Sequence, residues 1–312
     1  MVNFDLAIIG GGPAGCSAAV YAARKQLKTI FITESFDGQS IESPDIQNWI
    51  GTPHISGADL AKSLEKHVRE YADPYVTLKT GVRAQLVEKI DDSFNITVGT
   101  ESVIAKAVLI TTGGARRKLT VPGAEQFENK GVVYCASCDG PLFAGTDTVV
   151  VGAGNAGFET AAQLLAYAKS VTLLSRSADI SKADPKTVDA VRAHPNATIL
   201  TNVVPVEVTG SVFVESVVVE HTKSGERTTI PCSGIFVEIG IIPATDLVKN
   251  VVERDQFGRI KISDHRSMRT SHVGIWAAGD CIDGLYHQNN IAAGDAVKAL
   301  EDIYLWIKAE GN

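Results

Sequence analysis

Phe4-Asp5-Leu6-Ala7-Ile8-Ile9-Gly10-Gly11-Gly12-Pro13-Ala14-Gly15 opens the chain with an apolar strand, runs into a glycine-rich turn, and continues as an alanine-rich helix to about Lys25. The plan returns at Thr146–Val151. There a second apolar strand meets Gly152-Ala153-Gly154-Asn155-Ala156-Gly157 and a helix to about Ala168. A further strand follows each helix, Thr29–Thr33 in the first copy and Ser170–Leu174 in the second. Strand, Gly-x-Gly-x-x-Gly turn and helix make a βαβ nucleotide-binding unit. The glycines let backbone approach a pyrophosphate, whose charge meets the free N–H groups at the helix start. One such turn is a weak signal. Two, each between a strand and a helix in a chain of 312 residues, predict an α/β fold with two Rossmann-like nucleotide-binding domains.

Outward from these units the pattern changes to short alternating strands. Val82–Ile90, Phe94–Val98 and Val103–Ala107 predict a β-meander after the first unit. Val203–Thr209, Val212–Glu220 and Arg227–Pro231 predict another after the second. From Asn290 the chain reads as helix, with Ile291, Ala296, Leu300, Ile303 and Ile307 as its apolar stripe. Net charge is −7, which argues against nucleic acid or an anionic membrane surface as partner. No apolar run approaches the ~18 residues of a membrane span. The chain enters a strand almost at once, so no signal peptide is expected, and a cytoplasmic location is.

The second strand of the first unit ends at Glu34, where a carboxylate can bind both hydroxyls of an adenosine ribose. That suits FAD, whose AMP half carries no 2′-phosphate. In the second unit the matching place is Ser175-Arg176-Ser177. No carboxylate waits there for a bare ribose, and Arg176 can hold a 2′-phosphate through its guanidinium, which leans towards NADPH over NADH.

Five cysteines are present, and only Cys135 and Cys138 are closely spaced. Two cysteines three apart can close an easily reduced disulfide, and at a helix N-terminus one thiolate becomes nucleophilic at neutral pH. A zinc site would want a second Cys/His pair, and Cys232 and Cys281 stand alone, so no metal is expected. Asp139 follows the pair directly. A carboxyl partly buried beside a flavin would have a raised pKa and could carry a proton to or from the thiols. Cys16, Cys232 and Cys281 read as buried small apolar residues.

Together these residues resemble the low-molecular-weight thioredoxin reductase family over nearly the whole chain. The likeness rests on the Gly10–Gly15 loop, Gly38-Gln39, Asn48-Trp49-Ile50-Gly51, Thr111-Thr112-Gly113-Gly114 and the Cys-Ala-Ser-Cys-Asp-Gly run. It continues through the Gly152–Gly157 loop, Gly240-Ile241-Ile242-Pro243, Ala277-Ala278-Gly279-Asp280 and Tyr286-His287-Gln288. The resemblance implies two three-layer ββα domains, the second inserted in the first. Residues 1–114 and 246–312 would bind FAD, and residues 115–245 would carry the pyridine-nucleotide site and the redox disulfide. It implies FAD contacts at Gly10, Gly12, Pro13, Ala14, Glu34, Gln39, Asn48, Val82, Thr112, Gly113, Asp280, Gln288 and Asn289. The dinucleotide would lie on Gly152, Gly154, Asn155, Ala156 and Arg176. Cys138 would face the flavin, Cys135 would attack the protein substrate, and Asp139 would serve as acid and base. The implied activity is reduction of thioredoxin or a thioredoxin-like protein by a homodimer.

Three departures from the family pattern bear on this. NADPH-binding members carry His-Arg-Arg with a further Arg, where this chain has Ser175-Arg176-Ser177 and Ile180. Reduced ferredoxin, NADH or a second flavin therefore stand beside NADPH as electron donors, and a dithiol oxidase using oxygen is an alternative activity. Asn289-Asn290 replaces small or apolar residues, which implies a retuned flavin potential. Ile50–Gly57 and Pro141-Leu142-Phe143 resemble peroxiredoxin-reducing flavoproteins that carry an extra N-terminal thioredoxin-like module, for which this chain is expected to have no room.

Overall fold

The first strand, Asn3–Ile9, lies inside its sheet with parallel neighbours on both sides, in a computed structural model that describes residues 3–181 and 183–310. The parallel order is Val76–Thr80, Thr29–Thr33, Asn3–Ile9, Glu101–Ile110 and Ile275–Ala277. A strand with parallel partners on both edges, in a sheet covered on its faces, is buried throughout. Leu6, Ala7, Ile8 and Phe31 are accordingly closed to solvent. Burying a side chain such as Phe31 contributes roughly 2 kcal/mol. The helix Pro13–Arg24 buries Ala14, Ala18, Ala19, Ala22 and Ala23, and these small side chains let it sit close between Gly57–Ala72 and Asn289–Glu310.

The chain divides into two compact units. Arg116–Ile241 forms one, and the residues up to Ala115 together with those from Ile242 onward form the other. Inside Arg116–Ile241 the parallel order is Ala197–Thr201, Ser170–Ser175, Asp147–Val151, Gly234–Val237 and Val132–Val133. The strand that feeds the glycine loop is third in both sheets. Its neighbours are the strand after the crossover helix on one side and the strand after or ending the meander on the other.

The meanders differ from expectation at their ends. The third strand of the first runs on to Ile110, because Val108-Leu109-Ile110 is apolar on both faces and joins the parallel sheet. Its first half pairs instead with the antiparallel hairpin Ala84–Ile90 and Ser93–Val98. In the second meander the middle strand starts at Val214, leaving Val212 and Phe213 exposed in the turn.

The last helix, Asn289–Glu310, buries Ala296, Leu300, Ile303 and Ile307, while Ile291 is exposed. The stripe takes in Ala292 and Ala299 instead, both buried in a helix that packs against Pro13–Arg24. Trp276 is fully buried at the sheet and donates from Nε1 to Asp302 Oδ2 at 2.9 Å. Asp302 also accepts two hydrogen bonds from Arg269, which fixes the helix to the sheet by a planar, two-pronged contact.

Candidate active site

Gly10 follows the first strand with φ +120°, and a Cβ there would run into the Thr111 carbonyl. A Cβ on Gly15 would collide with the Gly10 carbonyl, so helix and loop touch through backbone. Gly12 is different, because nothing stands within 4 Å of the place its Cβ would take. Gly12 caps the helix without a side-chain hydrogen bond, and Pro13 and Ala14 begin it. The amides of this first turn are left for an external anion.

The other predicted FAD residues gather at the carboxyl ends of the same strands. Thr112 Oγ1 is buried with only the Cys281 sulfur beside it, and that thiol donates to the carbonyls of Ile110 and Ala278. Gly113 takes φ +60°, and the Val82 amide donates to the Thr33 carbonyl at 3.3 Å. Gln39 Nε2 donates to Asp280 Oδ2 at 3.1 Å, and Asn48 Nδ2 to Gln288 Oε1 at 3.1 Å. Ser40 donates to Asn289 Oδ1 at 2.7 Å. Glu34 is exposed and takes two nitrogens of Arg83 at 2.7 and 2.6 Å. An open glycine, unclaimed amides and a buried threonine hydroxyl with only a weak sulfur neighbour fit a bound dinucleotide.

The second loop repeats this construction. A Cβ on Gly152 would meet the Glu238 carbonyl, one on Gly157 the Gly152 carbonyl, and one on Gly154 open space. Gly154 has no side-chain cap, and Asn155 and Ala156 start the helix Asn155–Leu164. Asn155 Oδ1 accepts from the Asp184 amide at 2.7 Å, tying the segment after Arg176 back to the loop. Arg176 is exposed. Sequence reasoning missed Glu238, whose carboxyl accepts from Thr160 at 2.8 Å beside the loop. Burial pushes its pKa up, against the pull of Arg116 and Thr160. Its signal was a carboxylate ending the buried strand Gly234–Val237, as Glu34 ends Thr29–Thr33.

Cys135 and Cys138 are joined in a disulfide with their Cα atoms 5.3 Å apart. The expected helix is a single turn, Ala136–Asp139, with Cys135 as its cap. The Cys138 amide donates to Cys135 Sγ at 3.2 Å, an interaction that favours a thiolate on Cys135 once the bond opens. Asp139 is half-buried, and desolvation raises its pKa to about 6, opposed by Arg116. Cys16, Cys232 and Cys281 are buried free thiols pushed up to about 12, so none competes as a nucleophile.

Two pyrophosphate cradles in one chain, with a reducible cysteine pair built into the second unit, define a flavin-dependent oxidoreductase that works through a disulfide. The chain belongs to the pyridine nucleotide-disulphide oxidoreductase family, whose profile matches residues 4–296. Among solved structures it resembles thioredoxin reductase from Giardia duodenalis, with a TM-score of 0.92 and 30% identity over 99% of this chain and 100% of that one. Thioredoxin reductase from Streptococcus pyogenes matches with a TM-score of 0.87 and 34% identity, covering 98% and 99%. Among curated relatives, an NADH dehydrogenase of Bacillus subtilis is 39% identical over 95% of this chain and 57% of its own length. A component of the alkyl hydroperoxide reductase of Staphylococcus epidermidis is 36% identical over 97% and 59%. The chain thus spans less than three fifths of these curated relatives. Among the described residues, no helix is long and apolar enough to cross a membrane.

Proposed function

We propose that the chain reduces a disulfide of thioredoxin or a thioredoxin-like protein, taking electrons from NADPH by way of FAD and the Cys135–Cys138 pair. The observation that carries this is the pair itself, bonded and capped by its own turn, with a neutralisable Asp139 next in sequence. FAD belongs to the first unit, its pyrophosphate on Gly10, Gly12, Pro13 and Ala14 and its ribose at Glu34. Gln39, Asn48, Val82, Thr112, Gly113, Asp280, Gln288 and Asn289 surround the rest. Gly152, Gly154, Asn155, Ala156 and Arg176 belong to the pyridine nucleotide. Bound FAD supplies a two-electron relay between hydride donor and disulfide.

In the reduced pair, the Cys135 thiolate attacks one sulfur of the partner's disulfide and forms a mixed disulfide, and the partner's other sulfur leaves as thiolate. Cys138 then attacks Cys135 Sγ, the Cys135–Cys138 bond re-forms, and the partner departs as dithiol. Asp139 provides the proton that the leaving thiolate needs. The reading includes a homodimer in the cytoplasm.

A second reading keeps the disulfide chemistry and takes NADH as donor. It is favoured by the NADH dehydrogenase name of the Bacillus subtilis relative and by the single cation at Ser175-Arg176-Ser177. Anaerobic titration of the flavin absorbance with NADPH, NADH and reduced ferredoxin tests both. Bleaching by NADPH at the lowest concentration supports the first. Bleaching by NADH alone selects the second, and bleaching by ferredoxin alone removes both.

A further inference from the structure

Gly279 is wedged between two helix starts. A Cβ on it would come within 3.3 Å of the Cβ atoms of Ala14 and Ala292, which lie in the first turns of Pro13–Arg24 and Asn289–Glu310. Asp280 follows, with one carboxylate oxygen held by Gln39. His287 Nδ1 stands 3.5 Å from the other oxygen. That spacing suits an ion pair when the ring is protonated, but Nδ1 makes no hydrogen bond and is shielded from solvent. A buried ring nitrogen without a partner is destabilising until something at the site completes it.

The sequence adds a second observation. Residues 10–23, 34–42, 111–114 and 279–292 build most of the predicted FAD cradle and contain no lysine or arginine, while Arg83, next to Val82, is paired with Glu34. His287 is their one basic residue. The pyrophosphate of FAD would bring two negative charges to a cradle that already holds Asp280. The other acids nearby are engaged or displaced from His287. Asp283 Oδ1 accepts from the Ile262 amide, Asp295 pairs with Lys298, and Glu34 pairs with Arg83. Asp37 and Glu42 are exposed, Tyr286 is exposed, and the Cys281 thiol stays neutral. Gln39, Ser40, Gln288 and Asn289 supply hydrogen bonds and no charge.

We propose that His287 is a cofactor-holding residue whose protonation is part of FAD binding. The dianion and Asp280 together draw a proton onto the imidazole, so FAD is held more tightly as pH falls through the range where imidazoles titrate. The premise is that the first unit holds FAD, as proposed above.

The test is release of FAD from the diluted holoprotein, read by flavin fluorescence at pH from about 5.5 to 8.5. In the wild-type chain the dissociation constant rises by roughly three- to tenfold from the acid to the alkaline end. In His287→Gln it stays flat, and His287→Lys, a fixed cation, binds tightly and also stays flat. The same slope in His287→Gln as in the wild type, or no slope in the wild type, overturns the proposal. If His287→Gln yields no folded protein, a persisting slope in His287→Lys overturns it equally. A purified chain without any flavin overturns the premise itself, which is a separate and visible result.

Discussion

Glu34 and Arg176 occupy the same place in two copies of one turn. Thr33 Oγ1 donates to the Ser35 carbonyl at 2.5 Å, and Ser175 Oγ donates to the Ser177 carbonyl at 2.6 Å. In each unit a buried hydroxyl at the end of the second strand clamps the backbone two residues on, and the residue between them is turned out to solvent. The turn is shared and the charge it presents is reversed. Glu34 is already paired with Arg83, whereas Arg176 has no ion pair among the described residues.

The first prediction concerns that reversed charge. A guanidinium presented alone at the ribose end of the cradle can take a 2′-phosphate by paired hydrogen bonds. Arg176→Ala is expected to raise KM for NADPH by roughly ten- to a hundredfold, the loss of one or two charge-assisted contacts, and to leave KM for NADH within about threefold. Steady-state assays with the two nucleotides check this. Equal changes for both would show that Arg176 does not read the phosphate.

A second prediction separates the two loops. Alanine in place of a glycine inside a helix ordinarily gains about 1 kcal/mol. At Gly15 and Gly157 it should do the opposite, because the new Cβ would meet the backbone carbonyls of Gly10 and Gly152. Gly15→Ala is expected to yield protein with little bound flavin. Gly157→Ala should stay yellow and lose bleaching by nicotinamide donors. Absorbance spectra of the purified variants, before and after anaerobic NADPH, distinguish the outcomes.

Much of this architecture is legible in the linear sequence because its requirements are local. Gly10 and Gly152 need positive φ, and the strands and helices around them follow from short apolar runs. The pairings that assemble the first site are not local. Asn48 meets Gln288 and Ser40 meets Asn289 across some 240 residues of chain, so only the fold brings them together. Glu238 escaped notice for a related reason: its place at the end of an apolar strand is legible, but its contact with Thr160, 78 residues away, is made only by the fold. Ile291 misled because a helical period says which residues share a face, while the small side chains of Ala292 and Ala299 decide which face meets the next helix.

Asp139 carries a third prediction, with a definite sign. Its carboxyl titrates near 3.9 in an unfolded chain and at about 6 when folded, so the folded state binds the proton more tightly. Stability linked to this group is therefore greatest below the unfolded value and falls as pH rises from about 4 to about 6. The full shift corresponds to ~3 kcal/mol, and solvent reaching the half-buried carboxyl reduces this to about 1–2 kcal/mol. Asp139→Asn should be more stable than the wild type at pH 8 by that amount and equal to it near pH 4. Its turnover should fall by roughly a hundredfold through loss of the proton carrier. Urea unfolding at several pH values and a pH–rate profile check the two parts independently.

Tyr167 stands behind the redox turn and gives the last prediction. Its hydroxyl is shielded from solvent and lies beside Gln163, whose amide oxygen also accepts from Ser137 Oγ at 3.2 Å. The same hydroxyl occupies the space into which a Cβ on Gly140 would project. Gly140 has φ −52°, which alanine adopts freely, so any harm done by Gly140→Ala comes from that collision and not from backbone strain. A buried hydroxyl with one imperfect hydrogen bond gains little over an apolar edge, so Tyr167→Phe should change stability by no more than about 1 kcal/mol. Gly140→Ala alone should destabilise it and disturb the turn that holds Cys135 and Cys138. In the double variant the ring edge still lies close to the new methyl, but the oxygen is gone, so much of the damage should be recovered. Unfolding free energies of the four proteins form a double-mutant cycle, with an expected coupling of about 1–2 kcal/mol. A coupling near zero would mean that the hydroxyl is not what a Cβ at Gly140 meets and that Gly140 is required for another reason.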